Sequence, residues 1–129
     1  MKNIKSNQKI IKEFELKELT DELIDFIGFA SIALNHNIDA KRMRLLAQLL
    51  AEELIKKNRF NKLYLYQIGV AIKEGVIYCD FEPFLNLRTL IRLIIEHKKK
   101  INEAYYQVHT LNRKPEEVPY YQEPKKLLK

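Results

Sequence analysis

The feature that most constrains this chain is the spacing of apolar residues between positions 40 and 57. Apolar side chains recur there every third or fourth residue, which is the period of one face of an α-helix. Asp39 stands directly before them, where a carboxylate can accept hydrogen bonds from the free N–H groups of a helix start. The pattern therefore predicts an amphipathic helix over residues 40–57. Its buried stripe consists of Met43, Leu46, Ala47, Leu50 and Leu54.

A preceding helix is predicted from Thr20 to about residue 34. Thr20 is the predicted N-cap, and the acidic residues that follow it suit the positive end of the helix dipole. The body of this helix is apolar on nearly all sides, so we expect it in the centre of the core. Gly28 is expected to let a neighbouring element approach closely, and the asparagines of "LNHN" are expected to end the helix in the left-handed conformation.

Two more helices are predicted further along the chain. The third covers residues 62–74 and is stopped by Gly75, and the fourth covers residues 87–111 and is capped by Asn86. Between them, "VIYCDFEPF" at residues 76–84 has strand-like composition. No second convincing strand exists to pair with it, and an isolated strand would leave its backbone groups unpaired. We therefore expect a buried connector there.

The end of the sequence is rich in proline. Pro115, Pro119 and Pro124 exclude an α-helix in this part, so an extended or polyproline-like tail is expected. The predicted fold class is all-α: a compact bundle of about four helices followed by an extended Pro-containing C-terminal tail. The expected organisation is a basic lead-in arm or short helix at residues 1–18, a helical domain at 19–114 and the tail at 115–129.

Length and composition limit the setting in which the protein works. With 129 residues, 47% hydrophobic and 31% charged, the chain has the size and balance of one globular domain. The longest apolar run is much shorter than the roughly 20 residues of a membrane span, and we find no signal-peptide pattern. The single cysteine, Cys79, fits a reducing compartment. We expect a cytoplasmic protein with no membrane partner.

Basic residues suggest two candidate anion sites. The net charge is +6, and the first turn of the second helix carries Lys41, Arg42 and Arg44, where the helix N-terminus also suits phosphate or carboxylate. The alternative is pairing of these residues with the acidic residues of the preceding helix. The second candidate site is the run of Lys98, Lys99 and Lys100 with Arg113.

The second site has an alternative interpretation as a solvated helix face. Glu96 precedes Lys100 by four residues and Lys99 precedes Glu103 by four, which is the spacing of pairs within one helix. Much of the basic run would then be matched internally, so the start of the second helix is the better candidate for anion binding.

The tail is a candidate surface for a partner protein. Its apolar and aromatic residues suit docking on a surface, which favours a homo-oligomer or a larger assembly. The candidate contact residues are Pro119, Tyr120, Tyr121, Leu127 and Leu128.

Catalytic signatures are not found in the sequence. There is no phosphate-binding glycine loop, nucleophile elbow or HExxH motif. The histidines His36, His97 and His109 are too scattered to predict a metal site. We therefore expect no enzyme activity, no cofactor and no metal.

Two resemblances bear on function. Gln67, Ala71, Gly75 and Val76 have the spacing of repressor-type helix-turn-helix units, although Glu74 stands where that motif has an apolar residue. Pro83 falls inside the would-be recognition helix, so only a variant with a long turn, using Asn86 onward as its second helix, is compatible with the sequence.

The second resemblance spans residues 63–106. The order Leu65, Ile68, Ala71, Gly75 and then "FLNLRTLIRLIIEH" is similar to a pattern in small uncharacterised helical proteins of Bacteroides-type phages and mobile elements. The resemblance implies a setting near replication functions, in the cytoplasm of a bacterial host cell or in a virion. Two functions follow as hypotheses: an accessory module that contacts nucleic acid or a nucleoprotein complex, or a protein-binding or structural assembly subunit that uses the tail.

Overall fold

Residues 8–121 form four α-helices: α1 (Leu16–Ala33), α2 (Ala40–Lys56), α3 (Leu65–Tyr78) and α4 (Leu87–His109). The computed structural model describes residues 8–121. Two short 3₁₀ helices, at Ile11–Glu13 and Pro115–Glu117, flank the four long ones. An isolated bridge between Ile10 and Tyr64 is present, but no strand forms in residues 8–121. The all-α prediction with four helices is confirmed.

The chain divides into two compact units, and the division falls inside α4 between Ile94 and Ile95. The first unit contains α1, α2, α3 and the beginning of α4. The second contains the remainder of α4 and the described part of the tail.

The core of the first unit forms where α1 packs against α2 and α3. Each helix buries a stripe of aliphatic side chains, and the loss of water from this apolar surface is the main source of stability. Fully buried members include Leu23, Ile27, Leu50, Leu54, Ile68, Ile72, Leu90 and Ile94.

Helix α2 follows its sequence pattern closely. The Asp39 side chain accepts a hydrogen bond from the Arg42 backbone N–H at 2.8 Å, so the predicted N-cap is confirmed. Ala47, Leu50 and Leu54 are buried as predicted, whereas Met43 and Leu46 are half-buried.

Helix α1 starts earlier than predicted, and the assignment of Thr20 as its N-cap is wrong. The helix begins at Leu16, and the hydroxyl of Thr20, inside the helix, donates to the Leu16 carbonyl at 2.8 Å. The burial of α1 is also less complete than expected, since Ile32 is 84% exposed. Asn35 adopts φ 55° directly after the helix, which confirms the expected asparagine terminus.

The segment before α1 is held by backbone hydrogen bonds to the residues that precede α3. The Ile11 N–H donates to the Leu63 carbonyl and the Lys12 N–H to the Asn61 carbonyl, both at 2.8 Å. Ile10 and Ile11 are buried there.

The prediction that Gly75 stops the third helix is wrong. Helix α3 continues through Gly75 to Tyr78, so the segment lacks the turn that a tight helix-turn-helix unit requires. Gly75 serves packing instead: a Cβ at this position would lie 2.8 Å from Leu93 Cδ2. The residues between Tyr78 and Leu87 form a loop, and the first three residues of the predicted connector belong to the helix.

The expected close approach at Gly28 is also not observed. A Cβ at Gly28 would meet Met43 Sδ at 3.8 Å, an ordinary contact distance. The close approach occurs at Gly69, where a Cβ would lie 2.8 Å from the Phe26 ring. Glycine is therefore needed where α3 meets α1, and not where α1 meets α2.

Helix α4 is capped by Asn86, whose side-chain oxygen accepts from the Thr89 N–H at 2.9 Å, as predicted. The helix ends at His109, two residues before the predicted end, and Leu111 is exposed rather than inward. The proline-containing tail follows, and its described part includes a 3₁₀ helix and a turn in addition to extended residues.

Candidate functional site

The second unit contains a groove of about 530 Å³ between α4 and the tail, which we call the tail groove. One wall is a face of α4 and the other is the part of the tail around Val118. The helix contributes Glu96, Lys99, Lys100, Glu103, Ala104 and Gln107, and the tail contributes Val118, Pro119 and Tyr120.

The tail reaches this position by a reversal of the chain after α4. Asn112 adopts φ 58°, and the Arg113 N–H donates to the Gln107 carbonyl at 3.0 Å, which turns the backbone away from the helix axis. Pro115 then begins the 3₁₀ helix, because its fixed φ suits a helix start and it has no N–H to satisfy. The Val118 N–H donates to the Pro115 carbonyl at 3.2 Å, and the Val118 side chain is buried. Burial of this valine holds the tail against its own unit.

The charges of the tail groove are of both signs. Lys99 Nζ lies 3.3 Å from Glu96 Oε2, and Glu103 accepts a hydrogen bond from Gln107. The predicted pairs Glu96 with Lys100 and Lys99 with Glu103 are wrong, but the interpretation as a helix face with internally matched charge holds for Lys99. Lys100 Nζ instead lies over the Tyr120 ring, 5.6 Å from its centroid.

Two histidines of α4 contact the two tyrosines of the tail. His97 is buried and meets the Tyr120 ring edge-on, with ring centroids 5.0 Å apart. His109 Nε2 lies 2.7 Å from the Tyr121 hydroxyl, and the His109 ring stacks on Tyr105 with centroids 4.0 Å apart. These histidines therefore position the tail. Across residues 8–121, no three His, Cys, Asp or Glu side chains are grouped so that they could hold a metal ion.

The structure brings together residues from both predicted sites. Lys99 and Lys100 from the basic run and Pro119 and Tyr120 from the tail set line the same groove. Lys98 is half-buried and Arg113 is exposed, and neither lines the groove. Leu127 and Leu128 lie outside the described residues.

The other predicted anion site, at the start of α2, is only partly available. Arg44 Nη1 forms an ion pair with Asp21 Oδ1 at 3.2 Å, as the alternative interpretation expected. Lys41 and Arg42 are exposed, and neither forms an ion pair with any residue of the described chain.

The sequence did not point to three buried residues of the second unit as parts of a site. Val118, His97 and Ala104 were not predicted as site residues, yet all three are buried in the second unit. The available signal was the position of Val118 directly after two glutamates, because an apolar residue at the start of the tail has a reason to dock.

A smaller groove of about 350 Å³ lies in the first unit between α1 and α3. Its walls include Glu22, Phe26, Tyr66 and Lys73. Burial raises the pKa of the Tyr66 phenol, with a smaller contribution from Tyr64. Lys73 Nζ lies 5.6 Å from the centroid of the Phe26 ring.

These features define an all-α protein with a groove between its last long helix and its tail. Comparisons of this chain with protein-family models, with curated proteins and with solved structures give no match. The resemblance to helical phage proteins therefore stays a prediction. In the part of the chain that the structure describes, no helix combines the length and apolar character needed to cross a bilayer.

Proposed function

We propose that this chain is a non-enzymatic protein-binding module whose tail groove receives a short extended segment of a partner protein. The observation that supports this most directly is the lining of the groove, in which the buried side chains of Ala104 and Val118 lie among exposed side chains of both charge signs. A peptide that carries an apolar side chain between charged ones would match both features.

The charge pattern favours a peptide over a nucleic acid. A groove that follows a phosphate backbone presents cations, because neutralising phosphates supplies most of the binding free energy. The tail groove places Glu96 and Glu103 beside Lys99 and Lys100. Carboxylates in these positions would repel phosphate, and Lys99 is already engaged by Glu96 at 3.3 Å.

The test begins with selection of binding peptides from a displayed random library, followed by affinity measurement on the full chain by fluorescence polarisation. Gln107→Arg introduces a long charged side chain into the groove, and Asn102→Arg introduces the same side chain at an exposed α4 position that does not line it. We expect Gln107→Arg to weaken binding of the selected peptide by about tenfold or more, and Asn102→Arg to change it by less than about twofold.

Nucleic-acid binding, the first hypothesis from the sequence, stays a prediction. A parallel binding experiment tests it. Labelled DNA and RNA oligonucleotides are titrated at low and at raised salt, since phosphate contacts give an affinity that falls steeply with salt. Salt-sensitive oligonucleotide binding, in the absence of any peptide that responds to Gln107→Arg, would overturn the proposed function. Selected peptides that bind equally well to both arginine variants would overturn it as well.

A further inference from the structure

The outward side of α2 carries two exposed leucines. Ala47, Leu50 and Leu54 face the core, and Leu45 and Leu49 lie on the opposite side of the helix. Leu45 is 56% exposed and Leu49 is 42% exposed. Because they are four residues apart, the two side chains are neighbours and form one apolar stripe on the helix surface. We call this stripe and its flanking charges the α2 outer face.

The charges within one turn of the two leucines are separated by sign along the helix. Lys41 and Arg42 precede the leucines by one turn, Glu52 and Glu53 follow them by one turn, and Lys56 and Lys57 stand one turn beyond the glutamates. With about 3.6 residues per turn, Lys41 and Glu52 lie on one flank of the stripe, and Arg42 and Glu53 lie on the other.

The contacts that these four residues make inside the chain are weak. Gln48 Nε2 reaches Glu52 at 3.5 Å, and Lys57 Nζ reaches Glu53 at 3.7 Å. All of these charges are therefore available to a second surface without loss of a strong internal pair.

We propose that the α2 outer faces of two copies of this chain pair antiparallel, around a two-fold axis at the level of Ala47. Leu45 of each copy then lies beside Leu49 of the other, so the four leucines form one apolar cluster. On the flanks, Lys41 faces Glu52 of the second copy, and Arg42 faces Glu53 of the second copy. The contact is self-complementary, as a two-fold interface requires.

Charge complementarity favours a second copy of the chain as the partner and an antiparallel arrangement of the two α2 helices. A parallel arrangement of the same helices would place cations against cations and carboxylates against carboxylates. Reversing one helix turns both like-charge contacts into opposite-charge contacts.

A helix pair centred on two leucines per copy belongs with small interfaces, below about 1,200 Å² in total, which form weak and transient complexes. The dimer is accordingly concentration-dependent, and it engages the same cations, Lys41 and Arg42, that would otherwise be free for an anion.

The test is sedimentation equilibrium of the full chain from about 1 μM to about 1 mM, the range in which a weak dimer dissociates. Lys41→Glu and Glu52→Lys each create like-charge contacts in the homodimer, and each is expected to weaken it by about tenfold. An equimolar mixture of the two variants restores opposite charges at both contacts. We therefore expect a heterodimer of wild-type affinity in the mixture, which only the antiparallel two-fold arrangement predicts.

The leucines provide a second test with a matched control. Leu45→Ala with Leu49→Ala is expected to weaken the dimer by about a hundredfold, because both copies lose their apolar contact. Ile77→Ala on α3 truncates a side chain that is 55% exposed, close to the value for Leu45, and is expected to leave the dimer unchanged. Unchanged far-ultraviolet circular dichroism would show that each variant is folded.

Three results would overturn the proposal. The first is a wild-type monomer over the whole concentration range. The second is a dimer that survives the double leucine substitution. The third is a mixture of the two charge-reversal variants that associates no better than either variant alone.

Discussion

The α2 outer face and the tail groove use the same kinds of side chain in different arrangements. On α2, Lys41 and Arg42 precede the apolar stripe, Glu52 and Glu53 follow it, and the two leucines are exposed. Along the groove face of α4, the order is Glu96, Lys99, Lys100 and Glu103, and the chain's own Val118 is buried beside them.

The two surfaces differ in where the oppositely charged partner of each charged side chain lies. Alternating charges three or four residues apart can pair within one helix, as Lys99 and Glu96 do. On α2, Lys41 and Arg42 are more than two turns away from Glu52 and Glu53 and cannot pair with them on the same helix, although Glu53 has a 3.7 Å pair with Lys57. A second helix that runs in the opposite direction brings these cations and carboxylates together. Alternation therefore suits a surface that its own chain completes, and segregation suits a surface completed by another copy.

The largest effect is expected from a substitution that detaches the tail from α4. Val118→Asp places a carboxylate at a buried apolar position, which costs at least about 3 kcal/mol if the carboxylate stays buried and ionised. We expect the tail to detach instead. The backbone amides of residues 117–121 should then show fast motion in heteronuclear NOE measurements.

The same variant should leave dimerisation through α2 unchanged in sedimentation experiments, because Val118 and the α2 outer face belong to different units. Amides of residues 117–121 that stay as rigid as in the wild type would show that Val118 is not what holds the tail.

A smaller perturbation separates the aromatic contacts from the valine. Tyr120→Ala removes the edge contact with His97 and the contact with Lys100, which together contribute about 1 to 2 kcal/mol to tail docking. The Tyr121 amide chemical shift, followed with temperature, should report a larger detached fraction. Tyr120→Phe keeps the ring and removes only the hydroxyl. Docking that is retained in Tyr120→Phe and lost in Tyr120→Ala would assign the effect to the ring, and docking lost in both would assign it to the hydroxyl.

Several local features of the fold could be predicted because their causes are local. The caps at Asp39 and Asn86 depend on a side-chain oxygen within three residues of a free N–H, which spacing alone reveals. The roles of glycine could not be predicted. Gly69 is required because the Phe26 ring, 43 positions earlier in the sequence, presses against its backbone. Only the assembled fold supplies that information.

The candidate site was harder to predict than the helices. Lys99, Lys100, Pro119 and Tyr120 were each singled out from composition and periodicity, but as members of two separate surfaces. Their meeting depends on a reversal of the backbone at Asn112 and on φ 67° at Tyr120. A tyrosine in the left-handed region is uncommon, so the usual backbone preferences of tyrosine do not predict the turn.

The smallest predicted effect concerns the charges, and it distinguishes the two surfaces most directly. Lys99→Gln removes an ion pair with Glu96 in which both side chains are more than half exposed, and such pairs contribute between about 0 and 1 kcal/mol. Tail docking, measured again through the amides of residues 117–121, should change little. Lys41→Gln removes one charge of the same sign from α2 and should weaken the dimer measurably, because two copies of the contact are lost at once. Equal sensitivity of the two surfaces to these substitutions would mean that charge order does not determine which one is completed by its own chain.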